Sequence, residues 1–433
     1  MKDNAILEYD RTFVWHPYAS LTNPPPVRLA KSANGVEITL ADGSRLIDAV
    51  ASWWSVAHGH NHPKIVEAMR KQGERLSHVM FGGFTHEGAV TLAEKLAAIA
   101  PDGLNKVFLA DSGSIAVEVA VKMCLQYQNA KGRKQRTKML ALKGGYHGDT
   151  ACAMALSDPD GMHTLFAGMM PKHFFAEKFS AKFDIEELVM FAETLEKHRD
   201  EIAGVICEPV FQAANAMWFY SPVYLTYMKS MCAAADIPLV FDEIAAGFHR
   251  TGPLWAHRAA KVTPDIMCVG KALTGGHCTL AATIASEDVA RTISEGTPSA
   301  FMHGPTFMAN PIACAAANAS LELFAEGDYE AKANGIEKIL AERLPPLKAL
   351  ANVKDVRVKG AVGIVEVERM PRVDDIERVI RDNGVWLRPF CNYIYTMPPL
   401  VADARAVEKI SSAIADLASA PPGDEIADGD FHE

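Results

Sequence analysis

The 433-residue sequence lacks several features that would place it in a specialised class of protein. It has no uninterrupted apolar run of about 18 residues, so we expect no transmembrane helix. It contains no basic block, and 53 acidic against 43 basic side chains give a net charge of −10. That balance argues against a protein that binds nucleic acids or anionic membranes. The eight cysteines form no C-x-x-C pair, and the N-terminal residues carry acids where a secretory signal needs an apolar core. We therefore expect a protein of the reducing cytoplasm.

The middle of the sequence alternates short β-rich runs with longer helical stretches. The predicted strands are 106–110, 138–142, 203–207, 238–242 and 266–270, and the stretches between them include the predicted helices 114–130 and 221–237. In the second of these helices, we expect Ser221 to cap the N-terminus and Pro222 to occupy the first turn. This alternation predicts an α/β fold in which helices flank a mostly parallel sheet.

The two ends of the sequence have a different character. The first 50 residues contain three consecutive prolines and a hairpin pattern with Asp42-Gly43 at its turn. From about residue 325 onward, a helix is followed by short strands. We therefore predict a large domain of residues 51–324 and a smaller α+β domain formed by 1–50 with 325–433. The polar, acidic residues 420–433 are predicted to form a flexible tail.

Two residues of opposite charge follow predicted strands. Asp242 ends the apolar run 238–241, and Lys271 comes just after the strand 266–270. A carboxylate at the end of a buried strand needs a cation or a set of hydrogen-bond donors. Strand ends of an open α/β sheet meet at one crevice, so the two side chains can form a direct ion pair. Alternatively, a cofactor lies between them: pyridoxal phosphate (PLP) bonds to a lysine, and its protonated ring nitrogen needs a carboxylate.

Two loops offer the remaining contacts for such a cofactor. The turn 111–114 lies between a strand and a helix, where backbone N–H groups and hydroxyls bind phosphate. Tyr146, in the Gly-rich loop 143–150, can stack on a planar ring. Taken singly, the first stretch is equally well an ordinary helix cap, and the second an ordinary turn.

Taken together, the motifs of the sequence resemble those of the class III (ω-) aminotransferases of PLP fold type I. The segments are "DSGSIAVEVAVKM", "GGYHGDT", "CEP", "FDEIAAGFHRTG", "PDIMCVGKALTGG" and "HGPTF", in the family's order and spacing. The resemblance implies that Lys271 forms the Schiff base and then moves a proton during catalysis. It also implies that Asp242 keeps the ring nitrogen protonated.

The same resemblance implies how the cofactor is held. Gly113 and Ser114 would bind its phosphate, and Tyr146 would cover its ring. Pro305 and Thr306 would complete the phosphate site of a neighbouring subunit, which implies a homodimer with shared active sites.

The flanking segments are similar to one branch of this family, which makes 7,8-diaminononanoate from 8-amino-7-oxononanoate for biotin synthesis. These segments are "FVWHPYAS" (13–20), "DAVASWWSVAHGHNHP" (48–63), "SHVMFGGFTHE" (77–87) and "GVWLRPFCNYIYTMPP" (384–399). The similarity implies ping-pong transfer, with Arg388 binding the substrate carboxylate. The residues implied around the aliphatic chain are Tyr18, Trp53, Tyr146 and Gly304, and Lys271 is implied to contact the substrate as well.

The sequence leaves the reaction partners partly open. S-adenosylmethionine is the expected amino donor, but a lysine-using variant of the branch exists. Two other readings are an ω-aminotransferase for 4-aminobutyrate or a diamine, and a homologue without activity. Intact Lys271, Asp242 and Arg388 argue against the second of these.

Several positions depart from the pattern of the family or suggest a different site. The departures are 210–217, His249, His277-Cys278 and Leu400, which we expect to narrow the pocket or reshape its entrance. The alternating histidines His58, His60 and His62 suggest zinc, but Gly59 and Pro63 interrupt the strand and no acid or cysteine is near in sequence. We therefore expect no metal. Asp149 and Glu208 are expected to surround the site without catalysing, and Arg250 to support it at longer range.

Overall fold

The computed structural model describes residues 3–214 and 216–423. The described chain divides into two compact units. Residues up to His62 and those from Ala331 onward form the first unit, and Pro63–Glu330 form the second. Within the described residues, no helix is long and apolar enough to cross a membrane.

The secondary structure elements follow in chain order. The strands are β1 (Ala30–Asn34), β2 (Glu37–Leu40), β3 (Arg45–Asp48), β4 (Leu104–Ala110), β5 (Lys138–Leu142), β6 (Phe174–Ala176), β7 (Ile202–Cys207), β8 (Phe211–Gln212), β9 (Trp218–Phe219), β10 (Leu239–Asp242), β11 (Ile266–Val269), β12 (Ala281–Ser286), β13 (Val353–Lys359), β14 (Val362–Val367), β15 (Val385–Trp386) and β16 (Tyr393–Thr396). The helices are α1 (Asp3–Phe13), α2 (Ala51–Trp54), α3 (Pro63–Arg75), α4 (Glu87–Ile99), α5 (Gly113–Ala130), α6 (Ala151–Leu156), α7 (Ile185–Lys197), α8 (Val223–Ala235), α9 (Glu287–Glu295), α10 (Pro311–Glu326), α11 (Tyr329–Arg343), α12 (Val373–Asn383) and α13 (Ala404–Ala418).

A seven-stranded sheet organises the second unit. Its order is β4-β12-β11-β10-β7-β5-β6, and only β12 runs antiparallel to its neighbours. The strands β7, β10 and β11 are buried along their whole length, because helices cover the sheet. The predicted α/β fold with a mostly parallel sheet is confirmed. The sequence pattern missed β12, which is rich in alanine, and the three-residue strand β6.

The first unit contains two smaller sheets. One sheet has the order β1-β2-β3-β15, with β15 parallel to β3, and the other has the order β13-β14-β16. The predicted hairpin is present: β2 and β3 are joined through Asp42-Gly43, and Gly43 has a φ of 87°. A positive φ favours glycine, which explains the residue at this turn.

One predicted detail is present and another is corrected by the structure. Helix α8 begins at Val223, and the Ser221 hydroxyl accepts a hydrogen bond from the Val223 N–H at 3.4 Å, as expected of a capping residue. The predicted tail does not begin at residue 420, because Ala420 is buried and the Gly423 N–H donates to the Met370 carbonyl at 2.9 Å. The rest of the predicted tail, 424–433, lies outside the described residues. Helix α5 confirms the helical reading of 114–130.

Candidate active site

The carboxyl ends of five strands surround one cavity of about 180 Å³ in the second unit. Open α/β sheets bind ligands at this position, because the loops that follow parallel strands meet at one edge of the sheet. The lining residues are Gly113 and Ser114 after β4, Tyr146, His147 and Gly148 after β5, Glu208 after β7, Asp242, Ile244 and Ala245 after β10, and Lys271 after β11. The structure therefore brings together five of the predicted cofactor contacts, which are Gly113, Ser114, Tyr146, Asp242 and Lys271.

Asp242 is the last residue of β10 and is buried. Its Oδ2 atom lies 2.8 Å from Nδ1 of His147, and its Oδ1 atom accepts a hydrogen bond from the Ile244 N–H at 3.1 Å. Burial by itself works to lower the pKa of the His147 imidazole, but the hydrogen bond and the charge of Asp242 outweigh it and raise that pKa. His147 is therefore a hydrogen-bonding partner of Asp242 inside the fold.

The sequence analysis missed His147. Its position directly after Tyr146, in a loop already assigned to the site, was the available signal. The contact joins residues that are 95 positions apart in sequence, so spacing alone could not reveal it.

Lys271 follows β11 and begins a short 3-10 turn, Lys271–Thr274. Its backbone is left-handed, with a φ of 43°, a conformation that side-chain-bearing residues rarely adopt outside constrained sites. Burial lowers the pKa of the Lys271 ammonium, and the negative charges of Asp242, Glu208 and Asp149 offset only part of this effect. A lowered pKa increases the fraction of neutral amine, which is the nucleophilic and basic form.

The N-terminus of α5 forms the opposite wall of the cavity. Ser112 occupies the N-cap position without a side-chain capping hydrogen bond, and Gly113 begins the helix. A Cβ atom on Gly113 would lie 3.1 Å from the Ile244 side chain, and one on Gly148 would lie 2.1 Å from the Ser114 hydroxyl. Both glycines therefore permit an approach that other residues would block. First-turn N–H groups beside a hydroxyl form a site suited to a phosphate.

The ring of Tyr146 is held by its neighbours. Its hydroxyl donates to Oδ1 of Asp149 at 2.9 Å, and its ring stacks on His163 with centroids 5.8 Å apart. His163 Nε2 lies 3.1 Å from the same Asp149 oxygen. The Tyr146 backbone N–H donates to Glu208 at 2.9 Å. These contacts fix a planar aromatic surface at the edge of the cavity.

Glu208 is a buried acid that lines the cavity. Its carboxylate accepts hydrogen bonds from the backbone N–H groups of Tyr146 and Ala213, at 2.9 and 3.0 Å. Burial raises the pKa of Glu208 to about 7, although the positive charge of His147 opposes this rise. The structure thus places Glu208 in contact with the loop that carries Tyr146.

We expect the substitution Glu208→Gln to remove part of the pH dependence of stability. The folded protein holds the Glu208 proton up to a pKa of about 7, whereas the ordinary value is 4.5. Between these values the folded state binds more protons, so the stabilising contribution of this group is present at low pH and falls as pH rises. The unfolding free energy of the wild type relative to the variant should fall by about 3 kcal/mol at most across that window. Urea unfolding of the cofactor-free proteins at a series of pH values measures this, and a constant difference would contradict it.

Three predicted substrate contacts meet in the first unit. The Arg388 guanidinium lies 5.4 Å from the centroid of the Trp53 ring. The Tyr18 ring meets the Trp53 ring edge-on, with centroids 6.4 Å apart. Among residues 3–214 and 216–423, no carboxylate lies within ion-pair distance of Arg388, so the surface salt bridge considered as its ordinary role is absent there. An arginine beside two aromatic rings suits a ligand with one carboxylate and an apolar body.

The remaining predicted contacts lie outside the cavity. Gly304, Pro305 and Thr306 belong to the loop that precedes α10, and Gly304 and Thr306 are exposed. None of the three lines the cavity of its own chain.

The residues that depart from the family pattern also lie outside the cavity lining. His249 is buried and contacts the Phe324 and Tyr329 rings, with its Nδ1 atom 2.9 Å from the Gly252 carbonyl. Leu400 is fully buried. Among the described residues, 210–214, 216–217 and His277-Cys278 are likewise absent from the lining, and their expected effect on the entrance of the pocket stays a prediction. Arg250 is buried and also lies outside the lining.

The alternating histidines are engaged in other contacts. His60 Nε2 lies 3.0 Å from Oδ2 of Asp48, and the His58 and His62 rings are 6.3 Å apart. The expectation that no acid lies near them is therefore wrong, because the fold brings Asp48 to His60. The described part of the chain contains no group of three side chains arranged to hold a metal ion.

Comparison with known proteins identifies the family. Residues 18–417 match the family described as aminotransferase class-III. An adenosylmethionine-8-amino-7-oxononanoate aminotransferase from Buchnera aphidicola subsp. Schizaphis graminum is 46% identical over 411 residues, which cover 94% of this chain and 95% of the relative.

Two solved structures share the fold. The adenosylmethionine-8-amino-7-oxononanoate aminotransferase of Methanocaldococcus jannaschii gives a TM-score of 0.89 at 30% identity, covering 96% of this chain and 99% of that one. An amine transaminase from an uncultivated Pseudomonas species, solved in a PLP-bound form, gives 0.88 at 29% identity, covering 94% and 99%. Because the family matches residues 18–417 and the similarity to these relatives extends along nearly the whole length, the chain belongs to the class III aminotransferases.

Proposed function

We propose that this aminotransferase uses PLP to convert 8-amino-7-oxononanoate to 7,8-diaminononanoate, with S-adenosylmethionine as the amino donor. The observation that carries the proposal is the convergence of Asp242, Lys271 and the N-terminus of α5 on one cavity. The identity of 46% to a relative named for this substrate pair supports the choice of substrates.

The cavity fits PLP in charge and in shape. Lys271 supplies an amine whose pKa is lowered, and Asp242 supplies a buried carboxylate for a protonated ring nitrogen. Gly113 and Ser114 supply the helix N-terminus for the phosphate, and Tyr146 supplies an aromatic surface for the ring. When bound, PLP provides an electron sink that stabilises negative charge on the substrate carbon losing its proton.

The protein groups then have distinct tasks. Lys271 Nζ accepts the proton that the substrate carbon loses. It then donates this proton again to complete the transfer of the amino group. His147 Nδ1 lies 2.8 Å from Asp242 Oδ2 and holds that carboxylate in place, where Asp242 would face the protonated ring nitrogen of the cofactor. Asp149 and His163 hold the Tyr146 ring in place. The burial of Asp242 and His147 strengthens the electrostatic contact between them.

Three of the proposed substrate contacts are residues of the first unit. Arg388 would bind the carboxylate of 8-amino-7-oxononanoate, because its guanidinium has no acidic partner within the described residues. Trp53 and Tyr18 would line the aliphatic chain. Gly304 is also proposed as a substrate contact, on the resemblance of "HGPTF" to the family.

Oligomeric state and location form part of the proposal. The exposure of Thr306 and Gly304 supports a homodimer in which Pro305 and Thr306 complete the phosphate site of the other subunit. The large domain 51–324 would carry the cofactor, and the smaller domain, 1–50 with 325–433, would carry Arg388. The absence of a C-x-x-C pair among eight cysteines supports the cytoplasm.

A donor and acceptor panel tests the proposed substrates. The purified protein is incubated with 8-amino-7-oxononanoate and one of S-adenosylmethionine, lysine, glutamate or 4-aminobutyrate, and diaminononanoate is detected by mass spectrometry. We expect product with S-adenosylmethionine. If product forms with lysine and not with the other donors, lysine is the amino donor in place of S-adenosylmethionine, as in the lysine-using variant. No product with any donor, together with turnover of 4-aminobutyrate or a diamine on another acceptor, would favour an ω-aminotransferase of different specificity.

A further inference from the structure

Four consecutive residues of α2 have a left-handed backbone. Ala51, Ser52, Trp53 and Trp54 have φ values of 46°, 45°, 55° and 69°. None of them is glycine, and each L-residue in this conformation brings its Cβ atom close to the following carbonyl oxygen. A run of this kind persists only where surrounding contacts impose it, and such strain concentrates at functional sites.

A buried carboxylate imposes this turn. Asp48, at the end of β3, is fully buried, and its Oδ2 atom accepts a hydrogen bond from the Ser52 hydroxyl at 2.8 Å and lies 3.0 Å from His60 Nε2. Its Oδ1 atom accepts from the Val50 N–H at 3.2 Å. Burial works to raise the pKa of Asp48, but the hydrogen bonds from His60 and Ser52 outweigh it and lower that pKa. We call Asp48, Ser52 and His60 the Asp48 clamp.

Backbone contacts hold the base of the turn. The Ala49 carbonyl accepts hydrogen bonds from the Thr396 hydroxyl at 2.6 Å and from the Met397 N–H at 2.9 Å. The Trp54 N–H donates to the Val50 carbonyl at 2.8 Å. The Trp54 ring is buried and lies 6.2 Å from the Tyr395 ring. The two ends of the turn are therefore fixed by these contacts. In the middle of the turn, the hydrogen bond from Ser52 to Asp48 connects the backbone to the clamp.

The turn presents one large side chain to solvent. Trp53 is 44% exposed, although it lies between the fixed residues Ser52 and the buried Trp54. Arg388 covers one part of its ring and Tyr18 meets it edge-on. In a right-handed turn the same residue would leave this position, since reversing φ redirects the Cα–Cβ bond. The strained backbone thus determines where Trp53 lies relative to Arg388.

We propose that the Asp48 clamp is a positioning element that holds Trp53 beside Arg388, where the two bind the apolar chain and the carboxylate of the amino acceptor. The inference rests on the proposed function for the identity of that acceptor. Asp48, Ser52 and His60 do not themselves contact substrate; they act through Trp53.

The substitution Ser52→Ala tests the clamp with little risk to folding, because Ser52 is exposed and loses one hydrogen bond. We expect KM for 8-amino-7-oxononanoate to rise about fivefold while kcat changes less than about twofold, since the apolar chain is bound equally in the ground state and in the transition state. Asp48→Asn, which weakens all the contacts of the clamp, should raise KM further. KM for the amino donor is measured in parallel to show whether the effect is confined to the acceptor.

Tryptophan fluorescence supplies a readout that does not require turnover. The difference in emission between each protein and its Trp53→Phe counterpart isolates Trp53 among the six tryptophans. We expect acrylamide to quench this difference emission more strongly in Ser52→Ala and Asp48→Asn than in the wild type. If the wild type fails to turn over 8-amino-7-oxononanoate, the proposed substrate is wrong, and the quenching still decides whether the clamp positions Trp53.

Ser44→Ala is the matched control. Ser44 also donates to an aspartate of the first unit, Asp42, at 2.6 Å, but in the turn between β2 and β3. This variant should retain the wild-type KM and Trp53 quenching. The inference is overturned if Ser52→Ala behaves like Ser44→Ala in both measurements. It is also overturned if kcat and thermal stability fall while Trp53 quenching stays unchanged, because the clamp would then be an ordinary part of the core.

Discussion

Replacing Lys271 with alanine is expected to lower kcat by about 10⁴-fold or more, since the side chain is proposed to serve both as nucleophile and as the group that moves the proton. Burial lowers the pKa of this amine, and no other lysine lines the cavity within the described residues. The same variant should lose the visible or near-ultraviolet absorbance band that borohydride abolishes in the wild type. Mass spectrometry of the reduced wild type should find the pyridoxyl group on Lys271.

Lys261→Ala is the control for backbone effects. Lys261 is exposed, lies outside the cavity and has a left-handed φ of 54°, close to the 43° of Lys271. Both substitutions leave a Cβ atom on a left-handed residue, so they perturb the backbone to a similar degree. We expect Lys261→Ala to retain wild-type turnover and the absorbance band. If Lys271→Ala kept a tenth of the wild-type kcat, or if the pyridoxyl group were found on another residue, the proposed role would be wrong.

The large domain sheet was predictable because its central strands carry a strong local signal. The runs that became β7, β10 and β11 are continuous and apolar, as expected for strands covered on both faces. Strand β12 escaped prediction because alanine dominates "AATIAS", and alanine has no preference for strands. It becomes a strand through pairing with β4 and β11.

The residues of the site were predictable only where the neighbouring sequence contained a signal for them. Asp242 and Lys271 each interrupt an apolar run, and a charge at such a place calls for an explanation. The contact of His147 with Asp242 and that of His60 with Asp48 depend on how the chain folds back on itself. The left-handed turn of α2 was also hidden, because "ASWW" contains no glycine to indicate a positive φ.

Asp242→Asn is expected to lower kcat by about 10³-fold while leaving cofactor retention largely intact. A carboxylate about 4 Å from a positive charge in a partly shielded site contributes about 4 kcal/mol, and this corresponds to about three orders of magnitude in rate. The phosphate contacts proposed for Gly113 and Ser114 would not depend on Asp242, so cofactor binding should suffer less than turnover. Stopped-flow rates and equilibrium dialysis of the cofactor separate the two effects. Equal losses in both would contradict the assignment.

His147 should modulate the same step through Asp242. His147→Asn retains a donor near the position of Nδ1 but removes the charge, whereas His147→Ala removes both. We therefore expect kcat to fall in the order wild type, His147→Asn, His147→Ala, with the last losing about 10²-fold, because an unpartnered buried carboxylate takes up a proton more readily. The raised pKa of His147 means that its charge is present at low pH and is lost as pH rises through that pKa, so activity should show an alkaline limb that His147→Asn lacks.

The neighbouring pair of Glu243 and His257 provides the matched control for this contact. His257 Nδ1 lies 2.6 Å from Glu243 Oε1, both side chains are buried, and neither lines the cavity. His257→Asn should therefore lower the unfolding free energy without changing kcat or the alkaline limb. Because the two pairs match in chemistry and burial, a loss of kcat in His147→Asn that His257→Asn does not reproduce would come from the position of the Asp242 charge. If both variants lost activity and stability in proportion, His147 would only stabilise the fold.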